Sequence, residues 1–257
     1  MDLAQTFGAW RELMLEGEAA WWQEFYVRFY QAFIEGNRWQ QYLEGVGVTL
    51  VATAMALAIG VVLGVLVAVI RTAHDQQRPG RPRNPVLGVI NAICKIYVTV
   101  IRGTPMLVQV LIMGMVVFAS SRNYTMVGAL TLGINSGAYV AEIIRGGLMS
   151  LDSGQSEAGR SLGMGYIDTM RFIVIPQAFK AILPSLGNEF IVLLKDTSMI
   201  SVIGGQELVY FAKNIVNRTF DAMFPLLGSA VIYLVLVMIF TWLQGKLERR
   251  LRKSDRR

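Results

Sequence analysis

A chain of 257 residues that is 54% apolar, only 16% charged and carries a formal net charge of +6 is too apolar for an ordinary soluble domain. Its apolar residues gather into uncharged runs of about twenty, the length that crosses hydrocarbon, so the chain reads as an all-α polytopic membrane protein. One cysteine, Cys94, and one histidine, His74, cannot build a disulfide framework or a multi-ligand metal site, and the basic residues cluster beside apolar runs, where they set membrane orientation and do not mark a nucleic-acid surface.

Residues 1–45 are too often interrupted by Glu12, Glu16, Glu18, Glu24 and Arg28 to span a membrane, and they lack the basic and apolar regions of a cleavable signal. Trp22, Phe25, Tyr26, Phe29, Tyr30 and Phe33 recur at helical spacing, which predicts an amphipathic arm lying at the membrane interface or packed on the protein's own outer surface. Val46 to Ile70 is uncharged and long enough to cross. Within it Ala52, Ala56, Gly60, Gly64 and Ala68 lay a smooth stripe on which another helix can approach closely. Arg71, Arg78, Arg81 and Arg83 follow and belong in the cytoplasm, which leaves the N-terminus outside.

Pro85 to Ala119 is too long for one straight crossing, and Arg102-Gly103-Thr104-Pro105 divides it; Thr104 is the expected cap and Pro105 the first helical residue of the second piece. Met126 to Ile144 returns inward with a second small-residue stripe, Ala129, Gly133, Gly137 and Ala141. It also holds Asn135, Ser136, Tyr139 and Glu142, and a carboxylate at that depth needs a partner or a water-filled cavity. Residues 156–176 are polar and glycine-punctuated and belong at the inner face; Ser156 is the expected cap of a short helix there, and a further helical turn, Ile167 to Ile173, is expected to stop at Pro176. Gln177 to Gly205 is a fifth crossing, interrupted at Pro184 and charged by Glu189, Lys195 and Asp196. Gln206 to Met223 reads as an outer loop, Phe224 to Leu243 as the last span, and the basic residues from Lys246 to Arg257 as a cytoplasmic tail. About five transmembrane helices with the N-terminus outside and the C-terminus inside satisfy the charge rule: fifteen Lys and Arg fall in stretches assigned inside against six outside. The organisation is thus an arm (1–45), a transmembrane domain (46–250) and a basic tail (251–257).

Glu157-Ala158, then Gly163, then Ile173 and Pro176, resembles the EAA signature of ABC-transporter permease subunits, with Gly159 where a second alanine is common and Ile175 where leucine is. The RGTP tetrapeptide, the run Asn135–Gly147 and the run Leu194–Gly204, with its KDTS element, resemble the polar-amino-acid uptake branch of that family. The resemblance covers roughly residues 45–250. It implies a coupling helix on the cytoplasmic face that docks on a separate ATPase, two such ATPase subunits, a second permease subunit (a copy or a relative), an extracytoplasmic solute-binding protein and a polar amino acid as cargo, in the bacterial cytoplasmic membrane.

The residues support that division of labour. No GxxxxGK[ST] phosphate loop occurs, so the chain is not expected to be an enzyme or to need a cofactor of its own; ATP and magnesium would be bound by the partner. Glu157 is the expected charged docking contact, with Ala158 and Gly163 allowing close fit. For the pathway the candidates are Arg102, Asn135, Glu142, Lys195, Asp196 and Ser198, because cations and anions together suit a zwitterion. Glu142 with Arg145, or Lys195 with Asp196, can equally be ion pairs that hold helices together. An ion-driven secondary carrier also needs intramembrane charges; ATP-dependence of uptake separates the two.

Overall fold

The computed structural model describes residues 3–75 and 84–254, and among them every regular element is helical. Arg78, Arg81, Arg83 and the last three residues of the basic tail lie outside the described residues.

Among the described residues four helices are long and apolar enough to cross a membrane: α3 (Trp39–Asp75), α4 (Pro85–Gly103), α6 (Tyr124–Met149) and α11 (Met223–Ser254). The expected fifth, α9 (Ile175–Asp196), is not among them, because Lys180, Glu189, Lys195 and Asp196 dilute its apolar face.

The two small-residue stripes find each other. Ala52, Ala56, Ala68, Ala129 and Ala141 are all buried, and a Cβ added at Gly60 would sit 2.7 Å from Ser136 Oγ and one at Gly133 3.1 Å from the Ala56 carbonyl oxygen. Residues 56, 60 and 64 of α3 meet 133, 136 and 140 of α6 in that order, so the two helices run parallel. The chain between them returns through α4 and α5 (Met106–Ile112), which continues as a π turn, Met113–Val117. The expected break falls at RGTP, one residue later than predicted: Thr104 is extended (φ −111°, ψ 143°) and Pro105 itself is the N-cap. A proline disfavours helical backbone at the residue before it, and at Thr104 that preference prevails.

α9 runs antiparallel to α6, with Ile182 against Gly147, Glu189 against Ser136 and Ile200 against Gly128. Pro184 does not interrupt it, a correction to the sequence expectation; the Pro184 carbonyl accepts from Gln244 Nε2 of α11 at 3.1 Å, and the helix instead tightens into a 3-10 turn at Thr197–Ile203. Gln206 to Met223 is likewise not a loop. Residues Leu208, Phe211, Ala212 and Ile215, spaced i, i+3, i+4, i+7, are buried on one face of α10 (Leu208–Thr219) against α3 and α11.

The N-terminal arm is a helical hairpin, α1 (Leu3–Glu16) and α2 (Trp21–Phe33). Its aromatic face is partly spent inside the protein: Phe7 stacks on Tyr30 at 4.5 Å, Trp10 meets Trp22 and Tyr26 edge-on, and Phe25 lies 4.9 Å from Phe224 of α11. Trp21, at 80% exposure, and Trp22, Phe25 and Phe29 still present an outward stripe.

Candidate functional site

Two regions hold the residues singled out from the sequence. The first is the polar segment after α6. Asp152, and not Ser156, caps α7 (Ser153–Ser161), accepting from the Gly154 N–H at 2.9 Å, and Ser156 lies one turn inside. The helix ends in a Schellman turn: Gly163 N–H donates to the Arg160 carbonyl at 2.9 Å and Met164 N–H to the Gly159 carbonyl at 3.1 Å. Gly163 adopts φ +80°, and among the described residues nothing lies within 4 Å of where its Cβ would be. Its backbone by itself favours glycine, apart from the close fit against a partner that the sequence suggested. Close packing occurs at Gly159, where a Cβ would lie 2.9 Å from both Oγ1 and Cγ2 of Thr169.

The following turn does not stop at Pro176, as expected, but runs on through α8 (Tyr166–Thr169) and a π turn, Met170–Val174, into α9. Ile175 N–H donates to the Met170 carbonyl, and this widened turn carries the helix through Pro176, which has no N–H to contribute. Gln177 Nε2 donates to Gln155 Oε1 at 3.0 Å, tying α9 back to α7. Glu157 and Ala158 face outward, and so do Leu162, Tyr166, Ile167 and Phe172. Sequence reasoning did not count these last four among the docking residues; large apolar residues in a polar, glycine-rich segment were the available signal.

The second region is a polar seam along α4, α6 and the end of α9. Arg102, in the last turn of α4, places its guanidinium 5.1 Å from the centroid of the Tyr139 ring. Gln109 fastens the RGTP break: its Nε2 donates to the Ile101 carbonyl at 2.7 Å and to Thr104 Oγ1 at 2.8 Å, while its Oε1 accepts from Asn135 Nδ2 at 3.0 Å. Tyr97 OH donates to the Ile134 carbonyl at 2.6 Å beside it. Glu142 is bound at both oxygens, by Arg71 of α3 and by Arg145 Nε at 3.6 Å, and Arg145 reaches Asp75 at 3.7 Å. The pairing with Arg145 is the one its i, i+3 spacing suggests; Arg71, far away in sequence, is the partner that only folding brings in. Arg102, Glu142, Arg71 and Lys95 line one cleft of about 340 Å³.

Lys195, Asp196 and Ser198 stand apart from that cleft, where α9 passes into the 3-10 turn; Lys195 is exposed and Ser198 Oγ donates to the Lys195 carbonyl at 2.7 Å. Glu189, two turns before Asp196, is buried and accepts from Ser136 Oγ at 2.8 Å, so it joins α9 to α6 next to Asn135. The candidates thus fall in two groups on either side of the Glu189–Ser136 contact.

A bundle of apolar helices with a polar inner seam and a glycine-punctuated helix projecting from one end is the architecture of a membrane transport subunit. Residues 86–253 match the profile of the binding-protein-dependent transport system inner membrane component family, and the chain belongs to that family, the permease subunits of ABC transporters, whose ATPase is a separate subunit. It is 33% identical over 214 residues to the glutamine transport system permease protein GlnP of Escherichia coli (strain K12), covering 82% of this chain and 92% of that one. The putative glutamine permease of Rickettsia bellii is 34% identical over 215 residues, covering 81% and 92%. Among solved structures, the crystal structure of an amino acid ABC transporter with histidines is 40% identical with a TM-score of 0.73, covering 82% of this chain and 94% of that one. An inward-facing MetNI methionine ABC transporter, 18% identical with a TM-score of 0.68, shares the fold.

Proposed function

We propose that this chain is the translocating subunit of an ATP-driven importer of polar amino acids in a bacterial cytoplasmic membrane, and that the segment 156–176 is its coupling element. The observation that carries this reading is the outward face of α7 and α8: Glu157, Ala158, Leu162 and Ile167 are exposed on a rigid, capped turn and have no cover within the described chain. A cytoplasmic ATPase is the partner that face fits, and closure of an ATP-bound pair would push α7 and, through the continuous α8–α9 run, the end of α9 that carries Lys195, Asp196 and Ser198. Two ATPase subunits, a second permease subunit and an extracytoplasmic binding protein complete the assembly, with ATP and magnesium held by the ATPases.

In this reading α9 with its 3-10 turn is a fifth crossing, shielded from lipid by α6 and α11, and the clustering of Lys and Arg beside the spans, with α3 and α6 parallel and α9 antiparallel to them, favours an N-terminal arm outside and a C-terminal tail inside. The arm's outward Trp21, Trp22, Phe25 and Phe29 continue the exposed apolar surface of α11 at Phe224 and suit the outer interface of the bilayer. The glutamine specificity named for the relatives, and the mixture of cations and carboxylates along the seam, favour a zwitterionic cargo. Arg102 and Lys195 would face the cargo carboxylate, Asp196 its ammonium, and Asn135 and Ser198 would supply neutral hydrogen bonds.

The test is reconstitution with the ATPase and binding protein. Wild type is expected to take up amino acids only with ATP, and Glu157→Lys to insert normally but lose ATP-driven uptake. Normal uptake by that variant would remove Glu157 from the docking contact, and uptake without any ATPase would defeat the reading as a whole.

A further inference from the structure

α10 begins on a carboxylate that the transport reading leaves unused. Glu207 is completely buried. Its Oε1 accepts from the Tyr210 N–H at 2.8 Å, and its Oε2 accepts from the Val209 N–H at 2.9 Å and from the Tyr233 hydroxyl of α11 at 2.8 Å. The adjoining Leu208 N–H donates to Thr49 Oγ1 of α3 at 3.3 Å. One side chain therefore caps α10 where α3, α10 and α11 converge.

The Tyr233 hydroxyl also lies 3.5 Å from Oγ1 of Thr197, the first residue of the 3-10 turn that follows Lys195 and Asp196. Thr197 gives its own hydroxyl hydrogen to the Leu194 carbonyl at 2.7 Å, so a bond across that gap has to be donated by Tyr233. Thr49 Oγ1, which also faces the Tyr233 hydroxyl, accepts from the Leu208 N–H and can give its own hydrogen to the Tyr233 oxygen, so the one hydrogen of Tyr233 goes to Glu207 or to Thr197 but not to both. With Glu207 ionised, the carboxylate takes it. With Glu207 protonated, the carboxyl O–H donates to the Tyr233 oxygen, and the tyrosine hydrogen turns to Thr197.

The geometry points to Glu207 as a positioning residue that, by directing the Tyr233 hydroxyl, sets how firmly the Thr197–Ile203 turn and the Lys195–Ser198 end of α9 are held against α11. The proposal rests on the transport reading for its consequence, though not for its chemistry. Burial pushes the Glu207 carboxyl up to about 7, against the opposing pull of the Val209 N–H, the Tyr233 hydroxyl, the Tyr210 N–H and the Lys213 charge. Because the raised value favours the protonated form in the folded chain, the stability it adds is present at low pH and is lost as pH rises through about 7. The turn is held below that pH and released above it. The ionisable groups facing Glu207 are Tyr233 from α11 and Lys213 from α10, whose Nζ donates to Ser201 Oγ at 3.3 Å; α3 and the 3-10 turn present the neutral hydroxyls of Thr49 and Thr197.

The experiment uses the reconstituted transporter with Cys94→Ala and a reporter at the exposed Val202, Val202→Cys, labelled by a thiol reagent between pH 6 and 8, each rate divided by that of the denatured chain at the same pH. In this background labelling is expected to be at least threefold faster at pH 8 than at pH 6. Glu207→Gln, whose amide oxygen can accept from the Tyr210 N–H while its NH2 group, in place of Oε2, donates to Tyr233 at the cost of the Val209 bond, is expected to label slowly at both. Tyr233→Phe, which keeps the α10 cap, is expected to label fast at both, and it decides the matter if Glu207→Gln does not fold. ATP-driven uptake should inflect near pH 7 in wild type and in neither variant. A pH-independent parent, or a variant that keeps the parent's pH dependence, overturns the proposal. Labelling as expected without ATP-driven uptake in wild type leaves it standing and removes the transport reading instead.

Discussion

Along α3 and α6, glycine and alanine let two helices of one chain lie against each other: Gly60, Gly64, Gly133 and Gly137 each leave room that the opposite helix fills. Around α7 the small residues do something different. Gly163 turns the backbone and Ala158 leaves its surface bare, while Leu162 and Ile167 stand exposed on the outside. The first region has its partner within the chain and serves as the frame; the second keeps apolar side chains outward, as the proposed contact with another subunit requires.

The largest effect expected from breaking this contrast is in the frame. A Cβ at Gly64 would stand 2.5 Å from Val140 Cγ1 and 2.9 Å from the Ala141 backbone nitrogen, and backbone cannot give way as a side chain can. Gly64→Leu should cost about 1–3 kcal/mol or more from overpacking, read as a lower unfolding temperature and a smaller folded fraction in detergent. A stable, monodisperse Gly64→Leu protein would mean that the two stripes do not need to touch.

Smaller is the expected effect at the inner ends of the same two helices. Glu142→Ala leaves Arg71, only 13% exposed, and Arg145 without their shared anion. Since Glu142 is itself about a quarter exposed, solvent screens part of the loss, and a penalty on the order of 1–2 kcal/mol is expected, with altered transport and the ATPase still co-purifying. If that variant no longer assembles, Glu142 belongs to the frame alone and leaves the pathway. The effect most confined in space belongs to the proposed coupling surface. Gly163→Ala puts a Cβ into left-handed backbone at about 1–2 kcal/mol, confined to the end of α7. Faster amide exchange around residues 159–164, with the bundle's unfolding temperature unchanged, would show α7 to be an outlying unit; a fall in that temperature would place it in the frame.

Much of this was readable residue by residue. The stripe from Ala52 to Ala68 announced a close helix contact, RGTP announced a break, and Glu157 to Pro176 announced a surface segment. Other signals were present but were read wrongly. Asp152 followed by Gln155 has the spacing of a capping pair, and the i, i+3, i+4, i+7 run from Leu208 to Ile215 is a helix inside a stretch whose polar composition suggests a loop. Pro176 does not break the helix because a widened turn carries the backbone through it, which local sequence does not reveal, and Pro184 lies inside α9 with its carbonyl bonded by Gln244 of the neighbouring helix.

Periodicity, run length and the placement of Lys and Arg were enough to establish an all-helical membrane protein, its main spans and its exposed polar segment, because burial in hydrocarbon and helical repeat act on neighbours in the chain. Which stripe meets which, that Arg71 answers Glu142, and that Glu207 and Tyr233 close on Thr49 and Thr197 depended on three-dimensional packing. These partners lie tens to more than a hundred residues apart. Hydrogen bonds and ion pairs at such separations leave no periodic trace, since their geometry exists only after the helices have been brought side by side.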